Sequence, residues 1–187
     1  EKNQELKSLL LQETPWVREA KGESERKRRI AILFDLNRMA NEESSAINRL
    51  KKLQTSNGGW AWFDGMRDDR YITQHIVTGF GKLNKLGVLV NHDEINRMAK
   101  KGVSYTDNRI GEDYKELQKL AKKGLIKMEE NHLGYTQIHY LYMRSFYPNQ
   151  SVSRANLDAY NYYFDQAVKY WNKQSTYMQG MLAITLH

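Results

Sequence analysis

The chain contains no cysteine, which removes disulfides, thiolate metal sites and thiol nucleophiles from anything its 187 residues do. Proline occurs only at Pro15 and Pro148, and with 12 glycines there are too few turn-formers for a β-sandwich. Long apolar runs are missing as well. The densest, Ile30 to Phe34, is far shorter than the roughly 18 residues that cross a membrane, so no membrane insertion by this segment is expected. The sequence shows no initiator methionine, secretory leader or lipid-attachment cysteine, and residues Tyr177 to His187 still read as helix. These features lead us to expect a segment of a longer polypeptide.

What remains is an all-α composition: 40% hydrophobic and 27% charged residues, enough for one domain with a sizeable core. The net charge of +7 comes from 29 Lys and Arg against 22 Asp and Glu. These charges are dispersed. The one compact basic run, Arg26-Lys27-Arg28-Arg29, follows Glu23 and Glu25, and reads as a solvated helix face rather than a nucleic-acid patch. No nucleic-acid partner is expected.

Periodicity and punctuation give a succession of helices. A short one covers Asn3 to Leu11 and is broken at Glu13-Thr14-Pro15-Trp16. A second runs from Ser24 to about Ala40, with Ile30, Leu33, Phe34, Leu36 and Met39 spread over more than one stripe, as if buried on two sides. Ser44 or Ser45 starts a third, ending at Gln54. Arg70 to Leu86 is a fourth, with a stripe at Ile72, Ile76, Val77, Phe80 and Leu83. Gly79 and Gly81 inside it imply another backbone passing close. Further helices begin after Asn91, span Gly111 to Lys123, and span His132 to Phe146, which Pro148 ends. Another is capped by Ser153, with its stripe at Leu157, Tyr160, Phe164, Ala167, Val168 and Trp171. The last starts at Ser175. Tyr162, Tyr163 and Tyr170 fall off the main stripe and are expected to meet a neighbouring domain.

The segment richest in information is Leu50-x3-Gln54-x3-Gly58-Gly59-Trp60-x-Trp62. An amphipathic helix stops at two glycines that supply a tight exit. The Gln54 amide is placed to bond a carbonyl at the helix end. The Trp60 indole folds back as an apolar wedge with one N–H to satisfy. This pattern resembles the Gln-Trp repeat of the α/α toroids of terpenoid cyclases and prenyltransferases. The runs Glu13 to Trp16, Leu33 to Met39, Gln54 to Phe63, Arg70 to Gly79 and Tyr140 to Phe146 resemble the toroid domain of bacterial alpha-2-macroglobulin-like proteins, of the kind found in the Bacteroides group.

That resemblance implies an α/α toroid, truncated here because two rings of about six helices each need more segments than this chain supplies. It implies a single all-helical domain over 1–187, part of an envelope protease trap that is periplasmic, outer-membrane-anchored or extracellular. Its partners would be β-sandwich domains of the same parent chain and target proteases. The family's thioester joins a Cys and a Gln of a Cys-x-Glu-Gln motif. Without cysteine, neither Gln54 nor Gln74 takes that role, and any such motif in the parent would precede Glu1. No catalytic residue, cofactor or metal is expected. Gln54, Gly58, Gly59, Trp60 and Trp62 are read as a structural turn, and Phe63, Arg70, Tyr71 and His75 as an interaction surface.

Two other readings compete. Asp64, Asp68 and Asp69 beside Trp60, Trp62 and Phe63 suit a carbohydrate-active α/α toroid, in which carboxylates work next to a sugar held by aromatics. A plain interaction module is the other. Asp68-Asp69 alone is not the diphosphate motif of a terpene cyclase, and without cysteine a prenyltransferase zinc set is incomplete. His75 and His139 lack metal-ligand spacing and read as hydrogen-bonded core histidines. Asp35, in an apolar helix, is expected to be paired if buried.

Overall fold

The computed structural model describes residues 22–34, 36–88 and 92–187, and divides the chain into two compact units, Glu1–Arg49 and Leu50–His187. The expected helix at Asn3 to Leu11, the break at Pro15 and the residue Asp35 lie outside the described residues, as do the side chains of Leu33, Phe34, Leu36 and Met39.

The first unit holds helix α1 (Glu23–Phe34) and most of helix α2 (Leu36–Leu53). In α1 the basic run is offset by its own acidic first turn. Lys27 meets Glu23 at 2.9 Å and Arg29 meets Glu25 at 2.6 Å, both at the i,i+4 spacing that adds a few tenths of a kcal/mol. Ser44 and Ser45 do not start a helix. They lie exposed inside α2, where the flanking Glu42, Glu43 and Ala46 favour continuation.

The second unit is mostly helical, with one small ribbon. Strands β1 (Trp60–Ala61) and β2 (Asp68–Asp69) pair antiparallel, with Trp60 opposite Asp69. Helix α3 (Arg70–Lys85) begins where the ribbon ends, because the Asp69 carboxylate accepts from the Ile72 N–H at 2.9 Å and caps it. Helix α4 (Asp93–Lys122) is one continuous rod of 30 residues, about 45 Å long. The expected break near Gly111 is absent. Gly102 and Gly111 are packing sites, not punctuation: Trp60 and Val77 cover Gly102, and Asn156 covers Gly111.

Helix α5 (Tyr135–Arg144) is shorter than the expected span from His132 to Phe146. Helix α6 (Leu157–Tyr170) starts at Asn156 instead of Ser153, whose carbonyl accepts from the Asn156 N–H. A 3-10 turn follows, and helix α7 (Thr176–Leu186) is capped by Ser175, whose hydroxyl accepts from the Met178 N–H. Helix α3 packs on α4 and α5, α6 covers α4 and α5, and α7 lies on α5. Trp60, Val77, Val103, Ile110, Ile138, Tyr140, Met143, Tyr163 and Leu182 form the buried centre. Among the described residues no helix is long and apolar enough to cross a membrane.

Two packing expectations are overturned. Gly81 lies against the Phe146 and Tyr147 side chains rather than a backbone, and Gly79 has open space beside it. The orientation of α6 also differs. Its buried residues are Ala159, Tyr163, Gln166 and Ala167, while Leu157, Val168 and Trp171 of the expected core stripe stand exposed. The tyrosines assigned to a neighbouring domain work inside the unit instead. Tyr163 is core, and Tyr162 and Tyr170 donate to the carbonyls of Met128 and Glu129 in the loop after α4. A tyrosine with a carbonyl in reach turns inward at little polar cost, and that choice rotated the helix.

Candidate functional site

The corner from Leu50 to Trp60 joins three elements. Thr55 and Gly59 close it through a backbone bond of 2.8 Å, and Gly58 takes φ +93 at its tightest point. Gln54 Nε2 donates to Gly58 O at 3.0 Å and to Met98 O at 2.9 Å, tying the end of α2 to the N-terminal part of α4. The carbonyl at the helix end is also met by Trp60, whose Nε1 donates to Leu50 O at 2.7 Å beside the Gln54 N–H. The indole is fully buried, edge-on to Phe80, and its backbone N–H donates to Thr73 Oγ1 at 2.8 Å. Gln54 therefore acts across the fold, and the tryptophan closes the helix.

Gly58 is needed twice over. Its φ is left-handed, and a Cβ there would stand 2.5 Å from the Lys101 carbonyl oxygen. Gly65 has a similar φ of +80 but open space around it, so it separates the two costs. Gly65→Ala should cost about 1 kcal/mol for conformation alone. Gly58→Ala should cost about 2 kcal/mol or more, because the corner must also lift off α4. Urea denaturation of the two variants measures the difference, and equal losses would refute the close-approach account.

Beyond the corner the aromatics diverge. Trp62 is 51% exposed and stacks on Tyr71 at 6.5 Å and 15°, while Phe63 is 69% exposed. From Tyr71 a row of rings runs between α3 and α5. Tyr71 lies 4.4 Å from His75, and His75 lies 4.4 Å from His139. Tyr135 stacks on His139 at 5.5 Å and holds its hydroxyl 3.4 Å from His75 Nε2. His139 is 3% exposed and accepts at Nδ1 from the Gln74 amide at 3.2 Å. Burial, with smaller contributions from His75 and Lys82, holds its pKa down at about 4. His75 is lowered as well, by burial first and then by Lys82. Among the described residues no group of three or more potential metal ligands forms around the pair.

Of the four positions read as an interaction surface, Phe63 and Tyr71 are exposed and His75 is half-buried. Arg70 turns inward: its guanidinium donates to Asp113 at 2.7 Å and to Gln74 at 2.9 Å. The carboxylates of the aromatic loop are all engaged. Asp64 pairs with Lys52 at 2.6 Å. Asp69 caps α3. Asp68 receives Asn57 and Arg109, both at 3.0 Å; burial pushes its pKa up, but the bonds from Tyr105, Asn57 and Arg109 outweigh that and hold it low.

No protein-family model, curated protein or solved structure matches this chain.

One buried polar group was not legible in the sequence. Tyr140 donates to Asp107 at 2.7 Å, and Arg144, 8% exposed, places Nε 3.7 Å from the same carboxylate. Arg144 Nη2 donates to Gln150 O at 2.7 Å and fastens the loop after α5. The i,i+4 spacing of Tyr140 and Arg144 was visible, but their partner Asp107 is on another helix.

Proposed function

We propose that this chain is a non-catalytic helical domain of the α/α-toroid kind, serving a protease trap similar to the alpha-2-macroglobulin-like proteins. Its work is to dock on other domains of its parent and shift when a protease cuts elsewhere. The observation that supports this best is the uncovered stripe of α6. Leu157, Val168 and Trp171 stand exposed on one helical edge beside the half-buried Tyr160 and Phe164. A stripe at the helical period that the unit leaves open is the composition of a surface meeting another body. The corner supports the reading too, since Gln54 bonds across to another helix while Trp60 closes the helix it follows, as expected of a Gln-Trp joint between neighbouring hairpins.

The test uses the full-length parent incubated with a protease. The expected results are trapped enzyme that still cleaves small but not large substrates, and a faster-migrating form on native gels. Val168→Asp with Trp171→Asp should weaken both while leaving the helical circular-dichroism signal intact. Unchanged cleavage of large substrates with no change in shape would overturn the reading. A glycan-binding domain is the second reading, favoured by the exposed Trp62–Tyr71 stack. Glycan-array binding lost in Trp62→Ala would select it.

A further inference from the structure

Between the end of α2 and the N-terminal part of α4 lies a cleft of about 820 Å³ that neither reading uses. That volume is in the range of small-ligand and peptide sites. Its rim carries Lys51, Arg97, Lys100 and Lys101, against one acid, Glu94. Glu94 is already engaged, accepting from Arg97 at 2.8 Å and meeting Lys51 at 3.2 Å. Lys100 and Lys101 have no carboxylate partner among the described residues. Its lining mixes the carbon of Met98 and the lysine stems with polar groups. Gln54 Nε2 donates to two carbonyls, while its oxygen and the Ser56 hydroxyl make no bond among the described residues.

We propose that this cleft binds an extended acidic peptide, with carboxylates on alternate residues meeting the cations of α4 and backbone N–H groups meeting Gln54 and Ser56. The spacing fits. Arg97 and Lys101 are one i,i+4 step apart, about 6 Å along the helix, and alternate side chains of an extended strand are about 7 Å apart. The chemistry discriminates as well. No aromatic side chain lines the cleft, so it has no stacking platform for nucleobases. Three of its four cations are lysines, point charges that suit single carboxylates rather than the planar, forked recognition of an arginine cluster. This site does not depend on the trap reading, because it is measured on the chain without any protease.

The test is fluorescence anisotropy of a short labelled peptide alternating Glu and Ser, beside its Gln-for-Glu counterpart. The acidic peptide should bind and the neutral one should not. Binding should weaken at least tenfold when ionic strength rises from about 0.01 to about 0.15 M, as screening shortens from about 30 to about 8 Å. Lys100→Glu with Lys101→Glu should weaken it at least tenfold, and Lys115→Glu with Lys119→Glu, outside the cleft, should not. Both pairs are exposed, so the fold should be kept and circular dichroism unchanged. Equal loss in the two double variants would overturn the site. Failure of the acidic peptide to bind at low salt, or tighter binding of a sulfated oligosaccharide at the same lysines, would overturn the ligand class.

Discussion

Trp60→Ala is expected to remove about 4 kcal/mol of stability, a large share of what a domain of this size holds. The indole is fully buried, edge-on to Phe80 of α3 and against the bare backbone of α4 at Gly102, so two helices lose one shared neighbour. The void cannot collapse easily, since Gln54 and Gly58 hold the corner against α4 from the other side. Trp60→Phe separates volume from hydrogen bonding. It keeps most of the apolar bulk, loses the Nε1 donor, and should cost about 1 kcal/mol. That loss is modest because the Leu50 carbonyl still accepts from the Gln54 N–H at 3.1 Å. Urea midpoints at unchanged slope measure both variants. Gly102→Ala adds a coupling test, since its methyl would stand 2.7 Å from the indole ring and 2.5 Å from Val77. It should cost less in the Trp60→Ala background than alone. A loss in Trp60→Ala no larger than that of the exposed Trp171→Ala would sink the account of the corner.

Acid should destabilise the second unit through His139. Its neutral form is the native one, buried, 4.4 Å from a second imidazole and hydrogen-bonded through Nδ1 by Gln74. The unfolded chain takes up a proton near pH 6.5, but the folded protein resists until about 4. Between those values the unfolded state binds more protons, so stability falls as pH falls and levels off below about 4. The gap is worth about 3 kcal/mol. His75, Tyr135 and Tyr142 flank the ring and Lys82 acts on it through its charge, and none is a carboxylate that could hold an imidazolium. Asp68 and Glu94, whose carboxyls their partners hold below the ordinary range, also favour the fold less as acid rises, so the measurement is a difference: melting temperature from pH 7 to 4 for the parent chain and for His139→Gln. The parent should lose more. Parallel curves would show that the histidine pair does not carry the effect.

Several elements were legible because the physics that makes them is local. The scarcity of proline and the 3.6-residue spacing of apolar side chains identify a helical chain without any knowledge of contacts. Ser175 was readable as a cap because its bond closes three residues away. The Gln54–Trp60 corner was readable for the same reason, as a helix end, a pair of glycines and an indole act within about ten residues.

Everything that depended on a partner from far along the chain was decided by tertiary packing. Gly111 reads as the start of a helix in sequence, and it and Gly102 become contact points only because Asn156, Trp60 and Val77 arrive there. His75 and His139 are 64 positions apart and became a close, tilted pair when α3 met α5. On α6 two faces competed, and the carbonyls of Met128 and Glu129 drew Tyr162 and Tyr170 inward, leaving the cleaner apolar stripe outside. The sequence alone thus determined that the chain is helical and where its sharpest corner lies, since propensity, capping and turn chemistry act over a few residues. Which faces are buried, which rings meet and which charges line a cleft were settled only by the folded structure, because burial and pairing energies exist only once distant segments touch.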